Sequence, residues 1–180
     1  MEQQKNALVQ PLPVLIGSVA QAQLNLFEAV KQSEVNRIPF EGSWSAAELI
    51  EHMVLSISSS VDVLSGPVRD TDRVPDRYVQ NVKDMFLDFD LKFKSAPQIT
   101  PAKQLYDRDI LIKKLRTVYN SLIYLVETKD LTDTCLLWEF PTIGYLTRLE
   151  WAYQAVYHAQ RHTQQLRNII GHLPADALKK

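Results

Sequence analysis

Leu146 to Gly171 reads "LTRLEWAYQAVYHAQRHTQQLRNIIG". Thr147 and Glu150 stand three residues apart, the spacing of a capping box in which hydroxyl and carboxylate satisfy each other's backbone N–H groups. Leu146 and Trp151 occupy the flanking positions of a hydrophobic staple, and Gly171 with Pro174 supplies the stop. The logic repeats upstream in "WSAAELIEHM", where Ser45 and Glu48 form the box and Trp44 and Leu49 the staple. Two complete helix starts of this kind predict helices over about 46–64 and 148–170.

Two further segments carry helical periodicity. Leu12, Ile16, Val19, Gln23, Leu26 and Val30 mark a first helix over about 13–33, with prolines ahead of it. Leu105, Ile112, Leu115, Tyr119 and Leu122 mark a third over about 101–127, with Thr100 as the expected cap and Pro101 in the first turn. Helices two and three are separated by about 35 residues, too many for a simple bundle turn. Within that connection "PDRYVQNVKDMF" predicts a short helix from Pro75. "FLDFDLKFK" alternates, placing Leu87, Phe89, Leu91 and Phe93 on one side of an extended segment tucked along the bundle. A connection of this length can return along a helix of about 30 Å. Helices two and three are therefore expected to run parallel, and helices one and two antiparallel. The expected fold is all-α, one four-helix-bundle domain over residues 1–180.

Composition narrows the function. An apolar content of 46% and a charged content of 23% are those of a globular chain with a core. A net charge of -1 without a basic run argues against nucleic acid and anionic lipid as partners. The start of the chain lacks the features of a signal peptide, and no apolar run approaches the roughly 20 residues of a membrane span. The lone Cys135 excludes an internal disulfide. These features together predict a cytoplasmic protein that meets no membrane.

His158 and His162 lie one turn apart and can chelate one ion. They fall at the border of an apolar arc carrying Trp151, Ala155, Leu166 and Ile169. His52 lies in helix two with Leu49, Leu55, Ser56 and Ser59. The main stripe of Ile50, Val54, Ile57, Val61 and Leu64 is opposite. Spacing alone is weak evidence. Ordinary polar residues occur at the same interval, and Ala159 stands where the metalloprotease motif needs glutamate.

"WSAAELIEHM" together with "PTIGYLTRLEWAYQAVYHAQRHTQQLRNI" resembles the DinB-like superfamily of four-helix bundles, which includes the damage-inducible DinB proteins and YfiT-type bacillithiol S-transferases. The shared marks are a tryptophan-serine helix start with a histidine near its second turn, a "P..G.LT..EW" start and a closing "H...H..Q". The resemblance implies an up-down-down-up bundle and a metal held by His52, His158 and His162. Many relatives carry a histidine in the loop before "P..G.LT", where this chain has Phe140.

Three neutral imidazoles leave a divalent ion with open positions, the arrangement of a catalytic site. Zinc is the default, and nickel, iron and manganese also suit these ligands. The resemblance adds a low-molecular-weight thiol, giving a small-thiol S-transferase or related hydrolase acting on a small molecule. The alternative is a non-catalytic dimeric helical protein with a binding or stress-response role. Glu48, Glu51, Gln154 and Gln165 are candidate partners for the imidazoles. Access would be shaped by the loops around Phe86–Ile99 and Trp138–Tyr145, with Trp138, Phe140 and Tyr145 lining a pocket. Arg161 could meet an anion or lie on a solvated face, His172 suits a helix end, and Cys135 reads as an apolar packing residue. Helix two carries two apolar faces, which with the resemblance suggests a homodimer through helix one or two.

Overall fold

Helix α1 (Leu12–Ala29) begins on Pro11 with a proline in its first turn. The computed structural model describes residues 10–92 and 94–179. The helix ends at Ala29, four residues before the expected Ser33, for a tertiary reason. Val30 turns extended and bridges Leu178, while Lys31 N–H donates to the Ala177 carbonyl and Lys179 N–H to that of Ala29. The end of the chain thus takes the backbone groups that another helical turn would have used.

Both capping boxes form. In α2 (Ala46–Ser65) Ser45 Oγ accepts from Glu48 N–H and the Glu48 carboxylate accepts from Ser45 N–H. In α5 (Arg148–Gly171) Thr147 and Glu150 do the same. Glu150 is fully buried and holds more than its own cap. Its carboxylate accepts both Arg73 N–H groups at 2.7 Å and the Tyr78 N–H at 2.8 Å. Thr147 Oγ1 also donates to the Pro75 carbonyl. One carboxylate therefore joins the start of α5 to the approach to α3 (Val79–Leu87).

The third bundle helix, α4 (Arg108–Thr128), starts seven residues later than the sequence pattern suggests. Asp107 is its cap, accepting from Ile110 N–H, while Thr100 Oγ1 donates to the Ala96 carbonyl. The intervening residues are held by the α1–α2 connection. The Asn36 amide brackets Tyr106 N–H and C=O, and Gln32 donates to the same carbonyl. Leu105, expected on the buried face, is 87% exposed. The alternating "FLDFDLKFK" is likewise not a tucked strand. Phe86 and Leu87 finish α3, Phe89 and Leu91 are exposed, and Phe93 lies outside the described residues.

Contacts between helices fix the topology. Glu51 meets Lys114 near the starts of α2 and α4, so these two run parallel, and Val61 and Tyr124 line one groove near their ends. Gln23 on α1 meets Tyr119, and Gln32 just beyond the end of α1 meets Arg108 at the start of α4, which makes α1 and α4 antiparallel. On α5, His162 faces His52 and Arg148 reaches the Leu64 carbonyl, which makes α2 and α5 antiparallel. The order is up-down-down-up, as expected. Beyond α2 and α4 two short strands, β1 (Val68–Arg69) and β2 (Thr134–Cys135), pair antiparallel with Val68 opposite Cys135. Both connections leave the same end of the bundle, which brings them together.

One core runs through all four bundle helices, with Phe27, Leu49, Ile57, Leu115, Leu122 and Leu166 fully enclosed. The two apolar faces of α2 are both covered within the chain, by α4 and α5. The argument from two apolar faces to a homodimer is thereby removed.

Three stability outcomes are expected. Leu115→Ala should cost about 2–5 kcal/mol through the cavity it leaves. Leu105→Ala should stay within about 0.5 kcal/mol of wild type, as exposed substitutions do. Glu150→Ala leaves the half-buried Arg73 charge and two N–H groups without their acceptor, and should cost about 3–5 kcal/mol. Urea unfolding midpoints measure all three, and a tolerated Glu150→Ala would contradict the role given to that carboxylate.

Candidate metal centre

His52 sits in the second turn of α2 between the buried Leu49 and Met53, and is 2% exposed. His158 and His162 lie one turn apart on α5, the first buried and the second half-buried. The antiparallel packing of α2 on α5 points all three rings at one another. The Nε2 atoms are 2.8 Å apart for His158 and His162, 3.1 Å for His52 and His162, and 3.4 Å for His52 and His158.

The outer nitrogens are each engaged. His52 Nδ1–H donates to the Ile99 carbonyl at 2.7 Å, and His162 Nδ1–H to Gln165 Oε1 at 2.8 Å. His158 Nδ1 meets Ser56 Oγ at 2.9 Å. Carbonyl acceptors force the proton onto Nδ1 of His52 and His162, leaving the Nε2 lone pairs of these two turned inward. His158 completes the set when its Nδ1–H donates to the serine oxygen.

Burial keeps the three rings neutral, the form that ligates metals. It lowers the pKa of His52 against the opposing Ile99 hydrogen bond. His158 falls well below the ordinary histidine value, first from burial and then from the neighbouring His162, His52 and Arg161. Burial takes His162 down to about 3, helped by His52 and Arg161 and opposed by Gln165.

The donor set fits a divalent ion. Zinc–imidazole bonds of about 2.0–2.1 Å with tetrahedral angles place ligand nitrogens about 3.3 Å apart, and octahedral angles about 3.0 Å. The observed separations span both. Inward lone pairs at these distances repel one another unless a cation lies among them. His52, His158 and His162 are therefore the residues that could hold a metal, and open positions would remain on it.

Aromatic rings wall the group. Trp44 lies 5.0 Å from His52, and Phe86 lies 5.3 Å from His158. Phe140 backs Phe86 at 6.3 Å and rests on Trp151 at 5.7 Å, so it reaches the centre only through Phe86. Trp138 and Tyr145 are 51% and 38% exposed.

Of the side chains read as imidazole partners, Gln165 takes the role. Glu48 is bound to Lys103 and Glu51 to Lys114, while the buried Gln154 makes no hydrogen bond to the three rings. Ser56 is not among those candidates, although it lies one turn from His52 on the same face and its hydroxyl meets His158 Nδ1. The Ile99 carbonyl has no side-chain signature to read. Arg161 meets the carbonyls of Phe86, Asp88 and Leu91. His172 caps the end of α5, its Nδ1–H donating to the Asn168 carbonyl. Cys135 is fully buried, and burial pushes its thiol up to about 11, which suits packing rather than nucleophilic attack.

Three solved structures share the fold. TT2238, described as a four-helix bundle protein, aligns with a TM-score of 0.52 at 18% identity over 87% of this chain and 96% of its own. YfiT from Bacillus subtilis, described as a probable metal-dependent hydrolase with an unusual four-helix bundle topology, aligns at 0.54 and 12% identity over 89% and 86%. A conserved protein from Enterococcus faecalis aligns at 0.56 and 16% identity over 89% and 95%. No curated protein sequence matches the chain. The family model of the DinB superfamily matches residues 17–166, most of the bundle and all three histidines, and the chain belongs to that superfamily.

Proposed function

We propose that His52, His158 and His162 hold one divalent metal ion, and that the protein is a metal-dependent enzyme acting on a small molecule. The observation that carries this reading is the convergence of three Nε2 atoms within 3.4 Å, each Nδ1 being engaged from outside. The reaction we favour is transfer of a small thiol to an electrophile, or a related hydrolysis, in the cytoplasm. The resemblance to thiol transferases supports the first, and the description of YfiT supports the second.

Zinc is the first choice of metal, with nickel, iron and manganese acceptable to imidazole. A bound ion would supply positive charge at an open position, where a thiol or water loses its proton more readily. The chain's own residues hold and orient. Ile99 C=O, Ser56 and Gln165 fix the rings, while Trp44 and Phe86 shield their edges from water.

The alternative, a non-catalytic binding or stress-response protein, draws on one feature. The position where many relatives have a loop histidine is Phe140, which packs between Phe86 and Trp151. A homodimer is proposed on the resemblance alone. Light scattering at micromolar concentration should give twice 20.6 kDa, and a mass of one chain overturns it.

Elemental analysis of protein purified without a histidine tag or chelator should find one divalent ion per chain. Ser56→Ala and Gln165→Ala should each weaken metal affinity by about 10–100-fold, and His52→Ala by more. A content indistinguishable from buffer after adding zinc, nickel or manganese would refute the centre. Turnover of an electrophilic acceptor with a panel of small thiols should be lost in His52→Ala. Wild type and variant equally inactive, with unchanged stability and assembly, would favour the non-catalytic reading.

A further inference from the structure

Helix α3 has no basic residue in its last turn. The last carbonyls of a helix lack partners within it and form the negative end of its dipole. Here the missing cation comes from α5. Arg161 Nη1 donates to the Phe86 carbonyl at 3.2 Å and the Asp88 carbonyl at 2.7 Å, and Nη2 donates to the Leu91 carbonyl. Its guanidinium also lies over the Phe89 ring, 5.8 Å from the centroid. A planar fork can reach several carbonyls at once, which the single ammonium of lysine does less well.

Arg161 stands between His158 and His162 on one rigid helix. Whatever Arg161 holds is therefore held at a fixed place relative to these rings. What it holds is the backbone of Phe86, whose ring stands 5.3 Å from His158 at 63° between planes. Phe140 supports that ring from behind.

We propose that Arg161 is a positioning residue that seats Phe86 against His158, and that Phe86 is thereby a specificity-determining wall favouring an apolar substrate group beside that histidine. The second half rests on the metal-centre reading; the clamp does not. A group entering beside His158 meets a hydrocarbon ring, which favours an apolar surface and penalises a charged one that must shed water.

The test uses the full chain, metal-free, with labelled histidine rings followed by NMR and amide exchange followed by mass spectrometry. Phe86→Leu should shift the His158 ring signals, because the aromatic neighbour is gone. Arg161→Ala should shift them in the same direction and raise exchange across 86–91 by about tenfold or more. His172 signals and exchange across α2 should stay as in wild type. Arg161→Lys, which keeps the charge, should shift the same signals part of the way and carries the test if Arg161→Ala does not fold. Unmoved His158 signals, or unchanged exchange across 86–91, would overturn the clamp. In zinc-loaded protein the preference for benzyl mercaptan over 2-mercaptoethanesulfonate should fall at least about threefold in Phe86→Gln, which replaces the apolar wall with a polar one, and in Arg161→Ala, the transfer cost of a charged group being what the wall imposes. An unchanged preference would overturn the wall. A wild type that takes up no zinc would remove the metal reading and the wall together, with the clamp still decided by the first measurements.

Discussion

Inward lone pairs on imidazole nitrogens within 3.4 Å of one another are a repulsive arrangement that must be held in place. What holds it is the register between α2 and α5. His52 lies opposite His162, Ser56 opposite His158, and the Leu64 carbonyl opposite Arg148. From His52 to Ser56 α2 advances four residues as α5 steps back four. From Ser56 to Leu64 it advances eight as α5 steps back ten, the long Arg148 side chain spanning the difference. Both helices start on complete capping boxes whose carboxylates also bind groups outside their own helix, Glu48 to Lys103 and Glu150 to Arg73 and the Tyr78 N–H. These links tie each start to the surrounding chain. The buried Arg148 locks the far end, donating to the Leu64 and Asp130 carbonyls and to the Asp133 carboxylate. A slip of one residue would turn a histidine by about 100° and dissolve the convergence.

This explains which parts could be read from sequence. Capping boxes are local, needing only residues three apart, so the starts of α2 and α5 were legible to the residue. The histidine pair on α5 was legible as a spacing, and its relation to His52 through resemblance. What failed were boundaries decided by distant partners. The end of α1 is set by the chain terminus pairing with Val30, and the start of α4 by Asn36 and Gln32 gripping Tyr106. No window around Thr100 contains that information. The alternation after Phe86 misled because a nine-residue helix ends inside it, and because the carbonyls beyond are held by Arg161 from α5.

The buried polar groups follow the same division. Gln23 fits an apolar stripe by spacing, yet it is 1% exposed and bridges two helices, donating to the Ala159 carbonyl while accepting from Tyr119 Oη. Burial pushes the Tyr119 phenol well above its ordinary value, keeping it a neutral donor to that glutamine. The acceptor is the backbone carbonyl of the residue after His158. The bridge therefore adds a directional contact that fixes how α1 and α4 sit on the ligand helix, where apolar packing alone would allow sliding.

Topology supplies the rest of the site. Because α2 and α4 run parallel, the chain leaving α2 must travel back along about 30 Å of bundle before α4 can start. Its attachments mark that journey in order. Arg73 binds Glu150 at the start of α5, Phe86 is held by Arg161 at the level of the histidines, Ile99 accepts from His52, and Tyr106 reaches Asn36 beyond the start of α2. A tight hairpin between α2 and its successor would leave no backbone on this face. His52 would then lack its acceptor and His158 its aromatic neighbour. The long connection is thus forced by helix direction, and both the imidazole-fixing carbonyl and the Phe86 wall are drawn from it.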